Sequence, residues 1–213
     1  MCNRAFRRIG LAAAMLTLCS LPAANSNEPA LAGEPWVRVE EDWELVVNEP
    51  DELVHCPQLT IYLTPDVNRS DMYFQLQLNH AAEASFSGGG FRVSALQNEW
   101  SVDEARSQTR ALLNVNNDVV RWTSVMAVHN GEVLYAIKDG SCQAWGAFGG
   151  PEYLLRMPAE GLQDLSRYTP VQSAEDVDVG FGSNRVRSLI LKRVRAYRED
   201  GTYVVIDVNL TAS

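Results

Sequence analysis

Apolar and polar residues alternate with a period of two along most of this chain, the spacing of strands that bury one face. From Trp36 to Val47 the odd positions are Val37, Val39, Glu41, Trp43, Leu45 and Val47, while the even positions carry Arg38, Glu40, Asp42 and Glu44. The pattern predicts a half-buried strand whose outer face, with Glu40, Asp42 and Glu44, is solvated. Met72, Phe74, Leu76 and Leu78 alternate with Tyr73, Gln75, Gln77 and Asn79 in a second two-faced strand. Phe91, Val93 and Ala95 continue the pattern after Gly88-Gly89-Gly90.

Turn chemistry registers two hairpins. Asn130-Gly131 suits a two-residue type I′ turn, in which both residues take left-handed backbone angles. Pairing outward from it sets Val128 against Val133, Met126 against Tyr135 and Ser124 against Ile137, all on the apolar face. Around Glu199-Asp200-Gly201 a two-residue loop would place Arg193 and Arg195 opposite Val208 and Ile206. A three-residue loop with Gly201 left-handed pairs Val194 with Ile206, Ala196 with Val204, Tyr197 with Tyr203 and Arg193 with Asp207, and is the expected form.

One helix is expected, Ser101 to Leu113, because Ser101 and Glu104 have capping-box spacing and Asp103 and Glu104 suit the positive end of a helix dipole. A further short turn is expected within Gly161 to Tyr168. No Pro- or Ser-rich linker and no internal repeat divides the chain. The expected fold is all-β, with roughly nine strands in one domain over residues 36–213: an antiparallel two-sheet sandwich of jelly-roll or concanavalin-like type, with at most one or two short helices.

The amino terminus has a different character. Arg4, Arg7 and Arg8 precede an apolar run from Ile9 to Leu21, the pattern of a secretory signal peptide. The run, about 13 residues, is shorter than the roughly 20 that span a bilayer, so no membrane span is expected. Cleavage is expected after Ser26, with Ala32 as the alternative, and residues 27–35 are expected as a flexible lead-in. Cys19 follows Leu18 rather than a small residue, so lipid attachment is not expected. The implied location is secreted, periplasmic or in the cell envelope.

Removing that segment sharpens the charge. A cut after Ser26 takes three of the 18 Lys and Arg and none of the 27 Asp and Glu, leaving 15 bases against 27 acids and moving the net charge from −9 to −12. Such a balance weighs against nucleic acid, whose phosphates are bound by clustered Lys and Arg. The six bases Arg185, Arg187, Lys192, Arg193, Arg195 and Arg198 alternate over both strand faces and read as a surface strand paired with acids. Cys2 and Cys19 leave with the signal segment, and Cys56 and Cys142 remain, either bridged or as two thiols.

Candidate chemistry is sparse. His55, His80 and His129 lie in separate segments, and Gly180-Phe181-Gly182-Ser183-Asn184 is no nucleophile elbow because its serine follows the second glycine. No catalytic residue is assigned and no cofactor is required. Asp176, Asp178 and Asn184, in a glycine-bearing stretch, supply hard oxygen donors of the kind calcium takes, and an acidic solvated turn is the plainer reading. The segment Asp139 to Gly150 combines glycines, which let backbone approach a ligand, with Trp145 and Phe148 as ring surfaces and Asp139 and Gln143 as hydrogen-bonding groups. It reads either as a binding loop or as a plug at one end of the core.

The strands ending in Val133-Leu134-Tyr135-Ala136-Ile137-Lys138-Asp139-Gly140, with the long strand Val186 to Tyr197, resemble the concanavalin-like sandwich superfamily of laminin-G domains and secreted lectins. The likeness runs over Val119 to Asp207. It lacks the Glu-x-Asp-x-x-Glu signature of that superfamily's glucanases and carries over no site residue. The whole pattern is also similar to exported bacterial proteins without an assigned activity. The resulting expectation is a non-catalytic secreted sandwich that binds carbohydrate or another extracellular surface. The alternatives are a glycan-processing hydrolase or lyase, and a structural or adhesive envelope protein.

Overall fold

The computed structural model describes Leu31 and residues 34–50, 57–69, 71–79, 90–106, 113–179 and 185–212. These form twelve strands: β1 (Arg38–Val47), β2 (Leu59–Leu63), β3 (Met72–Leu78), β4 (Phe91–Gln97), β5 (Trp100–Arg106), β6 (Asp118–His129), β7 (Glu132–Cys142), β8 (Gly146–Phe148), β9 (Leu155–Pro158), β10 (Val177–Val179), β11 (Val186–Tyr197) and β12 (Tyr203–Thr211). A single 3-10 turn, Pro151–Tyr153, and one helix, α1 (Pro170–Glu175), complete the fold. The larger sheet runs β12-β11-β1-β6-β7-β8 with β9 also on β7, and the smaller runs β10-β2-β3-β4-β5. All pairings are antiparallel, and the two sheets make a sandwich.

β1 lies inside the larger sheet because its odd face is apolar over nearly its whole length, with Val39, Trp43, Leu45 and Val47 buried. Trp43 stacks on Trp122, its register partner on β6, with ring centroids 6.2 Å apart. Phe74 of the smaller sheet stacks on Tyr135 of the larger at 4.9 Å, so side chains from the two inner faces interdigitate. The polar residue on β1's inner face is Glu41, which is fully enclosed. Its carboxylate accepts hydrogen bonds from the Tyr168 hydroxyl (2.7 Å) and from Trp43 Nε1 (2.9 Å). Burial pushes the Glu41 carboxyl above its usual range, against the opposing hydrogen bonds from Ser173, Tyr168 and Trp43. The Tyr168 phenol is likewise pushed well up, by burial first and then by the charge of Glu41.

Both hairpins have the expected registers. Val128 faces Val133, Met126 faces Tyr135 and Ser124 faces Ile137, around Asn130 and Gly131 at φ 51° and 78°. At the second, Arg193 pairs with Asp207, Val194 with Ile206, Ala196 with Val204 and Tyr197 with Tyr203, and Gly201 has φ 83°.

Residues 101–106, expected to start a helix, are strand: β5 pairs with β4. The hairpin between them turns on Asn98 and Glu99, both left-handed at φ 50° and 69°, a two-residue turn built without glycine. The residues that suggested a capping box serve the sheet. Glu104 meets Arg92 across the strands at 2.7 Å, and Asp103 Oδ2 accepts the Arg156 backbone N–H. Burying a thin helical stripe could not outweigh these cross-strand pairs. Residues 107–112, the rest of the expected helix, lie outside the described residues. The helix that does form, α1, follows Thr169-Pro170, with the threonine side chain accepting the Gln172 N–H at 3.2 Å and proline in the first turn. A turn occurs at 166–167, inside the expected span, and another at 160–161 overlaps its start. Leu31, in the expected flexible lead-in, is buried, and its carbonyl accepts Trp36 Nε1 at 2.7 Å.

Candidate functional site

The outer face of the larger sheet carries a dense set of charges placed by strand alternation. Glu40, expected to be solvated, is only 2% exposed. Its carboxylate receives Arg38 (2.6 Å), Lys138 (2.8 Å), Arg195 Nε (2.9 Å) and the Tyr197 hydroxyl (3.2 Å) from β1, β7 and β11. The long stems of these bases cover the carboxylate while their charged heads neutralise it, which is how a charge comes to be buried on an outer face. Burial alone would raise the Glu40 pKa. The hydrogen bonds from Lys138 and Arg195 and the charges of Arg38 and Lys138 outweigh it and hold the carboxyl below its usual range.

One rung further along β1, Asp42 receives a bidentate Arg195 at 2.6 and 2.8 Å and the Thr123 hydroxyl at 2.8 Å. Arg193 bonds Asp207 at 2.7 Å, and Arg121 pairs with Glu44 at 2.7 Å. These contacts tie β12, β11, β1, β6 and β7 together across the strands.

A groove of about 680 Å³ crosses this face at the level of Asp42 and Glu44. Its side-chain charges balance: Asp42, Glu44, Asp139 and Asp207 against Arg121, Lys192, Arg193 and Arg195. Two β-bulges shape it. On β11, Asp42 pairs with Arg193 but Trp43 pairs with Leu191, so Lys192 is an extra residue. On β7, Lys138 faces Thr123 but Ser141 faces Arg121, so one residue is again extra, and Asp139 there has φ 54°. Each bulge turns an additional charged side chain outward. Along the same face, beyond the groove, Tyr197 and Tyr203 pack at 5.1 Å, with Arg38 over the Tyr197 ring at 4.0 Å and Tyr203 56% exposed.

The structure separates the residues of the expected binding loop. Asp139 lies in the groove. Gln143 is exposed in the turn after β7, beside a smaller recess of about 290 Å³ next to Asp118. Asp118 is itself buried and accepts the N–H groups of Gln143 (2.8 Å) and Ala144 (3.0 Å), which fixes that turn. Trp145 is half-buried, with its ring edge-on to Phe91 and Phe148. Phe148 is buried in the core beside Gly140, whereas Trp145 keeps part of its surface open. Asp176 closes α1 and Asp178 lies in β10 opposite Thr60, while Asn184 is outside the described residues. Among the described residues no three His, Cys, Asp or Glu side chains come together as a metal group. His129 bonds Asn130 at the hairpin tip, and His55 and His80 are outside the described residues.

Sequence reasoning placed Lys192 on a surface strand and Tyr203 in a hairpin but missed the bulge at Lys192 and the groove itself. The one available signal was the adjacent pair Lys192-Arg193, which breaks the period of two as a bulge does. Fold and groove together define a β-sandwich protein with a polar, charge-balanced cleft on one sheet face. No known family model and no curated protein matches the sequence, so this class rests on geometry alone.

Proposed function

We propose that the protein is an exported, non-catalytic carbohydrate-binding sandwich whose ligand lies along the outer face of the larger sheet. The observation that carries this reading is the charge-balanced groove. Its many oriented donors and acceptors suit a hydroxyl-rich ligand, whereas equal numbers of acids and bases give no field to attract a polyanion such as nucleic acid. The exposed Tyr203 ring extends the same face as a flat surface for a sugar. The strand rhythm that resembles secreted lectins, and the signal-peptide pattern at the amino terminus, point the same way. Among the described residues no helix is long and apolar enough to cross a membrane.

Glu41, the carboxyl that burial pushes up as a general acid requires, is sealed in the core with no route to substrate, which weighs against hydrolysis. A Cys56–Cys142 bridge, permitted by an oxidising environment, is part of the same proposal.

The test is a glycan array probed with residues 27–213, in calcium and in chelator, beside Tyr203→Ala. Binding that weakens in Tyr203→Ala supports the reading, and a calcium requirement would bring in Asp176, Asp178 and Asn184. A blank array from a folded protein, or turnover of a bound glycan, would overturn it.

A further inference from the structure

Most charges in the groove are already satisfied by one another. Asp42 is held by Arg195 and Thr123, Glu44 by Arg121, and Asp207 by Arg193. Lys192 and Asp139 differ. Both are exposed, both line the groove, and neither side chain has a partner among the described residues. They are also the residues that the two bulges add, on β11 and β7, which flank the central pair β1 and β6 at one level of the sheet.

A bulge costs ladder hydrogen bonds and interrupts the pleat, and its usual structural return is a re-aimed side chain. Two bulges at one level, each delivering an unpaired charge of opposite sign to opposite walls of one groove, are a matched set. Their strands stand three inter-strand spacings apart, about 14 Å. Both side chains line the groove between those strands.

Resting on the proposed glycan-binding reading, we infer that Lys192 and Asp139 set specificity, selecting a zwitterionic saccharide that offers a carboxylate to Lys192 and an ammonium group to Asp139. The remaining floor is neutral and prepaired, so a ligand with one sign of charge satisfies one wall and leaves the other charge unpaired.

The probes are oligosaccharides of matched length: dextran (neutral), hyaluronan (acidic), chitosan (cationic) and N-deacetylated hyaluronan, which carries both a uronate and a free amine. Titration calorimetry on the wild type should rank the zwitterionic probe first, at least about tenfold tighter than the others, as expected of a charge-assisted hydrogen bond at each wall. Asp139→Asn should erase the preference for the amine and bring hyaluronan level with the zwitterion. Lys192→Met should do the same for chitosan. Asparagine tolerates the left-handed backbone at position 139 and methionine keeps the length of lysine, so both variants should melt with the wild type. A wild type that binds dextran or hyaluronan best, or variants that leave the ranking unchanged, would overturn this inference while leaving glycan binding intact. A wild type that binds none of the four would overturn both.

Discussion

Replacing Glu41 with glutamine removes one titration from the core while keeping its shape. In the native fold this carboxyl is enclosed beside Trp43, Tyr168 and Ser173, and burial holds its pKa above the 4.5 of a free glutamate. The unfolded chain releases the proton near 4.5 and the native chain only at higher pH, so between the two values the native state holds the extra proton. The stability this group confers is therefore fully present below the unfolded value and lost as pH rises through the native one. A single proton gives a slope of about 1.4 kcal/mol per pH unit over that window. Glutamine can accept from Trp43 Nε1 through its oxygen and donate to the Tyr168 hydroxyl through its amide, so at about pH 4 Glu41→Gln should match the wild type to within about 1 kcal/mol. Above that the variant should gain on the wild type by up to the stated slope, then level off. Urea unfolding at half-unit steps from about pH 4 to 8, with linear extrapolation, measures the difference. A difference that is flat, or that turns against the variant as pH rises, would refute the reasoning. The latter would mean that an ionised Glu41 is the form its three donors favour.

Arg195→Met leaves Glu40 enclosed with Arg38, Lys138 and the Tyr197 hydroxyl, removes the bidentate partner of Asp42, and should destabilise by about 2 kcal/mol, less than for a fully buried pair because the Arg195 side chain is 21% exposed. The Glu40 pKa is depressed, so its contribution is present above the unfolded value and lost as pH falls. The Arg195→Met penalty should therefore shrink in acid, and a penalty independent of pH counts against the assignment. Gly140→Ala would bring a Cβ to 2.5 Å from the Phe148 ring and 2.6 Å from its carbonyl oxygen, where backbone cannot yield, and should cost about 1–3 kcal/mol; an unchanged melting temperature would contradict it. Intact mass of residues 27–213 produced in an oxidising compartment should rise by two hydrogens on reduction if Cys56 and Cys142 are bridged, and an equal mass disproves the bridge.

Both hairpin registers could be read from sequence because turn chemistry and face pattern agreed at each. Asn130-Gly131 and Gly201 mark left-handed positions, and the residues they pair fall on matching faces. The β4–β5 hairpin was illegible for the opposite reason. Asn98 and Glu99 adopt left-handed angles under pressure from the sheet, and the neighbouring Ser101, Asp103 and Glu104 offered a local helical alternative. The glycine-aromatic segment drew the binding site to itself because composition cannot tell a ring that faces a ligand from one that faces Phe91, which arrives from β4 far back in the sequence. The groove was hidden for a related reason. It depends on where two extra residues fall relative to partners on other strands, and period-two reading has no place for an extra residue.

The cross-strand rungs that join Lys138, Glu40, Asp42, Arg195, Arg193 and Asp207 also govern what kind of molecule gains from lying on them. Side chains already locked by one another lose little freedom when a ligand arrives, so most of the ordering cost of association falls on the ligand. A stiff chain, whose conformation is largely set by its own linkages, loses least, whereas a flexible peptide of equal polarity would lose rotamer and backbone freedom at every residue. If the proposed binding holds, such a face would select by the rigidity of its guest as well as by its charge.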